Sequence, residues 1–145
     1  MNAEATPHAA WPFHPGEHEA QARAGVRGLA EAVHQFVRPY LPPQHQAFYA
    51  SLPFMVAAAR DEQGRPWATA LTGAPGFAHA PDPTTLRIDA QPTLGDALDG
   101  MLQPETDIGL LGIELATRRR NRINGRVVEH EGQGLRLEVG QTFGN

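Results

Sequence analysis

Residues 53–72 read PFMVAAARDEQGRPWATALT, and this stretch decides the fold class. Its two halves, Pro53–Arg60 and Arg65–Thr72, are rich in apolar residues and have the length of strands. Between them, residues 61–64 (DEQG) are of the types that turns prefer. The stretch therefore predicts a β-hairpin.

The rest of the chain continues mainly as short segments of the same kind. Further strands are predicted over Thr84–Asp89, Asp107–Leu115, Asn121–His130 and Leu135–Val139, the last two joined by a turn at 131–134. Helices are predicted over Glu17–Arg38, Gln44–Ala50 and Thr93–Leu102. The first helix carries an apolar stripe made of Val26, Leu29, Ala30, Val33, Phe36 and Val37. Six strands without strand–helix alternation predict a mainly β fold with N-terminal helices, at barrel-like strand spacing.

Length and charge limit the class of protein. The 145 residues suit one core; the polar, aperiodic segment 1–12 predicts a flexible N-terminus, and 13–145 a single domain. The formal net charge is −4, which gives no general attraction to nucleic acid. No apolar run approaches the roughly 18 residues of a membrane span, and the N-terminus does not have the pattern of a signal peptide. We expect a cytoplasmic protein that binds neither nucleic acid nor membrane.

The chain contains neither cysteine nor lysine, and its twelve basic residues are all arginine. Disulfide, thiolate and lysine Schiff-base chemistry are therefore excluded. Any anion must be held by arginine, by hydroxyl groups or by backbone N–H groups.

The strongest local signal is TRRRNRINGR at 117–126. It places Arg118, Arg119, Arg120 and Arg122 within five residues, and each guanidinium offers a fork of donors that fits a phosphate or a carboxylate. In a strand, Arg118 and Arg120 would point one way and Arg119 the other. At most half of these cations should therefore face any one ligand.

The same run contains Asn121 and Asn124, whose amides both donate and accept hydrogen bonds and so suit the edge of a heteroaromatic ring. A solvated arginine surface that pairs with Glu114 and Glu129 explains the run equally well.

A second signal is GRPWATALTG at 64–73. Thr69 and Thr72 carry hydroxyls on a predicted strand, and Gly73 lets the backbone approach an anion. Trp67 could stack on a flat ligand. For each threonine, strand propensity is the better explanation, and for Trp67 it is core packing.

Residues 14–18 (HPGEH) match the H-x-x-E-H pattern of zinc peptidases. That pattern needs both histidines on one helix, which the Pro-Gly pair between them opposes. We interpret Glu17 as an acidic residue at a helix N-terminus, and we predict no metal site.

Taken in order, five segments of the sequence resemble the pyridoxamine 5′-phosphate oxidase-like, flavin-nucleotide-binding family. They are FHPGEHEAQARAGV, FYASLPFMVAAARDEQGRPWATALTGAPGF, DPTTLRIDA, IGLLGIELATRRRNRINGRV and QTFGN, and they extend from Phe13 to Asn145. The resemblance implies a six-stranded split β-barrel (the FMN-binding split barrel) and a homodimer with FMN at the subunit interface. Some members of this family are fused to ferredoxin- or flavodoxin-reductase modules.

The family's flavin contacts correspond to two sets of residues in this chain, which the dimer could bring to one flavin from different subunits. The first set is Trp67, Ala68, Thr69, Ala70 and Thr72. The second set is Arg119, Arg120, Asn121 and Asn124.

The sequence departs from the family in ways that bear on function. True pyridoxamine phosphate oxidases have an arginine where Thr69 stands and a lysine on the phosphate, and their substrate-binding Arg and His follow in a C-terminal segment that is not found here. Vitamin B6 oxidation is therefore not implied. The resemblance leaves two partners open, a separate reductase or a C-terminal domain beyond Asn145.

Three functions follow from the resemblance. The first is an FMN-dependent oxidoreductase of unknown substrate, with no catalytic residue assigned. The second is a non-catalytic flavin- or small-ligand-binding dimeric module that depends on a reductase. The third, ranked below both, is a structural dimer whose flavin site has decayed. FAD, or no cofactor, ranks below FMN.

Overall fold

The computed structural model describes residues 12–144, so the segment predicted to be flexible lies outside them except for Pro12. The chain divides into two compact units, Met1–Val37 and Arg38–Asn145. The division lies inside the range 13–145 that the sequence predicts as one domain.

The first unit contains two short helices in place of the single helix predicted over Glu17–Arg38. Helix α1 spans Pro15–Arg23 and helix α2 spans Arg27–Val33, followed by a 3₁₀ turn at His34–Phe36. The long-helix prediction is wrong because Gly25 adopts φ +69° between the two helices, a left-handed conformation that ends a helix. The predicted apolar stripe is mostly exposed, with Leu29 at 66% and Phe36 at 52%.

His14 and Glu17 form a capping box at the start of α1. The His14 Nδ1 accepts hydrogen bonds from the backbone N–H groups of Gly16 (3.1 Å) and Glu17 (3.3 Å). The Glu17 carboxylate accepts from the His14 backbone N–H at 2.8 Å. His14 therefore precedes the helix instead of sharing a face with His18, and the interpretation of Glu17 as a helix N-terminal acid is confirmed. No cluster of three metal-ligating side chains occurs within 12–144.

The second unit contains helix α3 and one antiparallel sheet of seven strands. Helix α3 spans Pro43–Ser51, which confirms the predicted short helix. The strands are β1 (Phe54–Arg60), β2 (Pro66–Thr72), β3 (Ala78–Asp82), β4 (Thr85–Ile88), β5 (Asp107–Glu114), β6 (Arg119–Glu131) and β7 (Gly134–Gly144). Their order across the sheet is β2-β1-β5-β6-β7-β4-β3.

Both predicted hairpins are confirmed. Strands β1 and β2 pair from Phe54 with Thr72 to Arg60 with Pro66. Strands β6 and β7 close at Glu131 and Gly134, around a turn in which Gly132 adopts φ +60°.

Strand β3 was not predicted, so the sheet has seven strands where six were expected. Its sequence, AHAPD, contains Pro81, which cannot donate to a ladder and so gives no strand signal. The strand lies at the edge of the sheet and pairs irregularly with β4. The edge position explains how the proline is tolerated.

The helix predicted over Thr93–Leu102 is absent and is replaced by turns. Gly95 and Gly100 adopt φ +84° and +71°, which a helix does not allow. The carboxylate of Asp96 accepts from the Leu98 backbone N–H at 2.8 Å, a local bond that competes with helix formation. Leu98 is buried and fixes the segment to the core.

Alternate residues of the strands line the core, which α3 covers in part. We call this side of the sheet the core face; on β2, β1, β5 and β6 it includes Met55, Ala57, Leu71, Ile108, Leu110 and Ile123, all buried. Phe48 and Tyr49 on α3, and Leu52 directly after it, lie so close above Gly112 that a Cβ there would be 2.7–2.9 Å from their side chains. Within residues 12–144, no helix is long and apolar enough to cross a membrane. The cytoplasmic location stays a prediction.

Candidate functional site

The other side of the sheet, which we call the open face, presents two complete rows of side chains across five strands. The register places Ala68, Ala58, Gly109, Asn124 and Gln141 side by side in the first row. The second row consists of Ala70, Val56, Leu111, Arg122 and Phe143. The first row therefore changes from small residues to amides, and the second is apolar except for one arginine.

A groove of about 860 Å³ lies across the first row, within the range of roughly 300–1,000 Å³ typical of cofactor sites. Its lining residues are Ala58, Ala59, Arg60, Pro66, Thr106, Asp107, Ile108, Gly109, Asn124, Gly125, Arg126, Glu138, Val139, Gly140 and Gln141. They come from β1, β2, β5, β6 and β7 and from the residue preceding β5. The small side chains of the row leave the sheet backbone accessible to a flat ligand.

Two amides have fixed orientations at the groove. The Asn124 Nδ2 donates to the Gln141 Oε1 at 3.2 Å. The Asn124 Oδ1 faces the neighbouring strand, since a Cβ on Gly109 would lie 3.7 Å from it. This carbonyl can therefore accept a hydrogen bond from a ligand that rests on Gly109.

The charges at one end of the groove form an ion-pair cluster. The guanidinium of Arg126 contacts Asp107 at 2.7 Å and Glu105 at 3.5 Å. The hydrogen bond with Asp107 raises the pKa of Arg126. Arg60, also exposed at the groove, has no carboxylate within 4 Å among residues 12–144. The Arg60 guanidinium is therefore free to pair with an anionic group bound in the groove.

Three of the predicted contacts on β2 lie on the open face: Ala68, Ala70 and Thr72 are exposed there. The other two lie on the opposite side. Thr69 is buried, and its hydroxyl donates to the Asp96 Oδ2 at 2.8 Å. The Thr69 hydroxyl therefore already donates its one hydrogen bond within the fold.

Trp67 is the second residue of β2 and contacts the turn that joins β1 and β2. Its indole Nε1 donates to the Asp61 Oδ2 at 2.9 Å, and the Arg65 guanidinium lies 5.8 Å from the ring centroid. Asp61 also accepts from the Arg65 Nε at 2.7 Å. Desolvation by itself would raise the pKa of Asp61, but the hydrogen bonds from Trp67 and Arg65 and the charge of Arg65 together outweigh it and lower the pKa to about 2. Trp67 therefore holds the hairpin turn together.

On β6, alternation separates the predicted contacts as expected. Arg119 points toward α3, where its Nη2 donates to the Gln44 carbonyl at 3.1 Å and its guanidinium lies 4.7 Å from the Phe48 ring centroid. Arg120 is exposed on the open face, beside Ile113 of β5. This confirms that the arginines of the run do not all face one side.

The two asparagines of the second predicted set also lie on different sides of the sheet. Asn121 is 2% exposed, and its Nδ2 has no hydrogen-bond partner among the described residues. Asn124 lines the groove, and it is the one member of the second predicted set that does so.

Within one chain the two predicted sets are not adjacent. Strands β1 and β5 lie between β2 and β6, which separates them by three strand spacings, or about 14 Å. Ala68 and Asn124 nevertheless share the first row. The structure therefore places one member of each set in the same row, three strands apart.

Three residues at the groove were missed from the sequence: Arg60, Gly109 and Gln141. The glycines of DIGLLGIEL indicated close backbone approach, but not which glycine faced a ligand. Gln141 belongs to the QTFGN segment that carried the resemblance. Arg60 gave no signal, because its importance depends on its lack of an ion-pair partner in three dimensions.

Comparisons with known proteins give the same architecture. No protein-family profile and no curated protein sequence matches the chain. A structure of a HupZ variant from Group A Streptococcus is 10% identical and has a TM-score of 0.54, covering 72% of this chain and 99% of its own. A Lactobacillus delbrueckii protein, assigned provisionally as a pyridoxamine 5′-phosphate oxidase, is 12% identical with a TM-score of 0.51, covering 73% of this chain and 95% of its own.

Identities this low establish the fold alone. The seven-stranded antiparallel sheet and these two structures agree with the architecture that the sequence predicted. The chain has the split-barrel fold of the pyridoxamine 5′-phosphate oxidase-like proteins.

Proposed function

We propose that the protein binds FMN in the groove on the open face. The observation that carries this proposal is the first row itself, where small residues give a flat floor beside the fixed amide of Asn124. A planar ring can rest on Ala58 and Gly109 while its polar edge meets Asn124 and Gln141.

The donor set of the groove fits the cofactor. Arg60, free of carboxylates among the described residues, would bind the phosphate through its guanidinium fork. The Asn124 Oδ1 would accept from an N–H at the ring edge. When bound, FMN supplies hydride acceptance and one-electron chemistry. The protein's part is to orient the ring on the sheet and to keep the phosphate away from the acidic cluster around Arg126.

The proposal includes a homodimer. Val56, Leu111 and Phe143, in the second row, are only half-buried. A second copy placed against this face would cover them and would close the groove from above. Dimer formation commonly covers apolar surface of this kind.

Two variants test the FMN site by titration, with flavin fluorescence quenching as the readout. Gly109→Val fills the floor of the groove, and Arg60→Ala removes the guanidinium that is proposed to bind the FMN phosphate. Each should weaken FMN affinity at least tenfold, as expected for loss of one charged contact or of the stacking surface. The controls are Gly28→Val, where a Cβ meets nothing within 4 Å, and Arg27→Ala, an exposed arginine paired with Glu31.

The controls should bind FMN like the unmodified protein. If the unmodified protein does not quench flavin fluorescence at all, the proposal fails, and the hypothesis of a structural dimer with a decayed site replaces it. Equal affinity in all four variants would show that FMN binds elsewhere.

A second candidate, a flavin-binding module without catalysis of its own, has one observation in its favour. Among the described residues no histidine lines the groove, and of its two carboxylates, Asp107 and Glu138, Asp107 is held by Arg126. Anaerobic mixing of the FMN-loaded protein with NADPH distinguishes the two. Bleaching of the flavin absorption supports an oxidoreductase, and bleaching only after a reductase is added supports the module.

A further inference from the structure

Three buried polar side chains of the second unit each have an atom without a hydrogen-bond partner among residues 12–144. They belong to His45, Tyr49 and Asn121, which are 7%, 0% and 2% exposed. The unpartnered atoms are the His45 Nδ1, the Tyr49 hydroxyl and the Asn121 Nδ2. A buried polar group without a partner is costly, so three of them in one part of the fold require an explanation.

These side chains lie in one region, between α3 and the core face of the sheet. His45 and Tyr49 are one turn apart on α3 and so share a side of the helix. The Tyr49 ring lies over Gly112, since a Cβ there would be 2.8 Å from the Tyr49 Cε1. Asn121 is the cross-strand partner of Gly112 and is buried on the same face. The helix therefore places Tyr49 next to Asn121.

The unpartnered atoms form a set of hydrogen-bond donors. The Asn121 Nδ2 can only donate, the Tyr49 hydroxyl carries a proton, and the His45 Nδ1 donates in one tautomer and when the ring is charged. The Asn121 Oδ1 is turned toward β7, into the space that a Cβ on Gly144 would need. A water molecule must donate as well as accept, whereas an anion only accepts. Donors grouped in this way therefore fit an anion better than a water molecule.

The charges that act on this region are positive. Burial, and then the charges of Arg119 and Arg38, lower the pKa of His45. Burial raises the pKa of the Tyr49 hydroxyl, and the charge of Arg122 opposes that rise. Within the described chain, no carboxylate contributes to either shift. The region therefore combines donors with a positive electrostatic potential, and both favour a negative ligand.

We propose that His45, Tyr49 and Asn121 bind a small monovalent anion, of the size and charge of chloride, between α3 and the core face. A single charge is favoured because the cost of burying an ion rises steeply with its charge. The bound anion accepts from the three donors and connects α3 to β6. The site lies on the side of the sheet opposite the groove, so the inference does not depend on FMN binding.

Bromide is the probe for the direct test, because it substitutes for chloride and scatters X-rays anomalously near its absorption edge. Crystals of the unmodified protein grown in sodium bromide should show an anomalous difference peak within hydrogen-bonding distance of the Tyr49 hydroxyl and the Asn121 Nδ2. Density there without an anomalous signal would be a water molecule and would overturn the inference. Bromide found only elsewhere on the protein would overturn it too.

Thermal unfolding at equal ionic strength tests the site in solution. Sodium chloride should raise the melting temperature of the unmodified protein by about 2–4 °C relative to sodium gluconate, whose anion is too large for a buried site. Tyr49→Phe removes the hydroxyl, keeps the ring and should lose most of this shift. Tyr40→Phe is the matched control, since Tyr40 is 44% exposed, and should keep the shift.

The two measurements together decide the inference. An equal chloride effect in Tyr49→Phe and in the unmodified protein would mean that the anion acts elsewhere, and the site would be refuted. A bromide peak without any chloride-specific shift would be binding at crystal concentration only, which also refutes it. If Tyr49→Phe does not fold, the unmodified protein still gives both the bromide peak and the difference between chloride and gluconate.

Discussion

The core face and the open face of β6 use the same residue types for different purposes. Toward the core, Arg119 bonds α3 and Asn121 is buried. Toward the open face, Arg120 is exposed, and Asn124 lines the groove. Composition alone cannot separate these roles, because the side on which a residue lies decides whether it stabilises the fold or meets a ligand.

Two glycines of β5 give the largest expected contrast between the faces. Gly112→Ala would place a Cβ 2.7–2.9 Å from Leu52, Tyr49 and Phe48, and overpacking of this kind costs about 1–3 kcal/mol. Gly109→Ala would place a Cβ 3.7 Å from Asn124, an ordinary contact, so its cost should stay below about 0.5 kcal/mol.

Urea unfolding of both β5 variants measures the difference. Equal stability of the two would mean that α3 does not pack on Gly112 as the structure shows, and the distinction between the faces would be lost on this strand.

The two threonines of β2 provide the next contrast. Thr69→Val removes the hydroxyl that donates to Asp96 and should lower the unfolding free energy by about 1–2 kcal/mol. Thr72→Val, on the open face, should change it by less than about 0.5 kcal/mol. Thermal melts of both variants, followed by circular dichroism, are sufficient. A neutral Thr69→Val would instead favour a role for this hydroxyl in ligand binding.

Adjacent arginines of β6 should differ by a smaller amount. Arg119→Ala loses the hydrogen bond to Gln44 and the contact with the Phe48 ring, for an expected cost of about 1 kcal/mol. Arg120→Ala loses no described partner and should remain within about 0.5 kcal/mol of the unmodified protein. If the variants and the unmodified protein unfold with the same dependence on denaturant concentration, the shifts in their denaturation midpoints give both changes in unfolding free energy. A larger loss for Arg120 than for Arg119 would reverse the assigned orientation of the run.

The smallest effect concerns pH. Burial, and then the charges of Arg119 and Arg38, lower the pKa of His45 from its ordinary value of 6.5. The unfolded chain therefore binds a proton before the folded one does, so stability is complete above about pH 6.5 and falls as the pH drops toward the folded pKa. The slope cannot exceed about 1.4 kcal/mol per pH unit for one group.

Urea unfolding at pH 7.5 and pH 5.5 measures this dependence, with His45→Gln as the comparison. The variant should lose less stability on acidification than the unmodified protein. An identical loss in both would assign the pH dependence to other groups.

Much of the fold could be predicted from local patterns. The β1–β2 hairpin follows from two apolar segments around a turn sequence, and the β6–β7 hairpin from the glycine turn at 131–134. The break at Gly25 and the turns at 93–102 were missed because a left-handed glycine looks, in sequence, like a tolerated helix residue. Strand β3 was missed because Pro81 argues against a strand in the sequence, although an edge strand tolerates a proline.

The site could be predicted less well, for a physical reason. Alternation along β2 places Trp67 and Thr69 on the side opposite Ala68 and Ala70, whereas the family resemblance grouped all four. Which residues become neighbours depends on strand order and register, which are long-range properties. The row that joins Ala58, Gly109 and Asn124 exists only after three strands have paired.

The most direct test of the central claim is native mass spectrometry of the protein purified in the presence of FMN. The predicted result is a species containing two chains and two FMN molecules, with the FMN absent from a dimer of the Gly109→Val variant. A monomer without bound flavin, or FMN retained equally by Gly109→Val, would contradict the claim that the open face holds the cofactor.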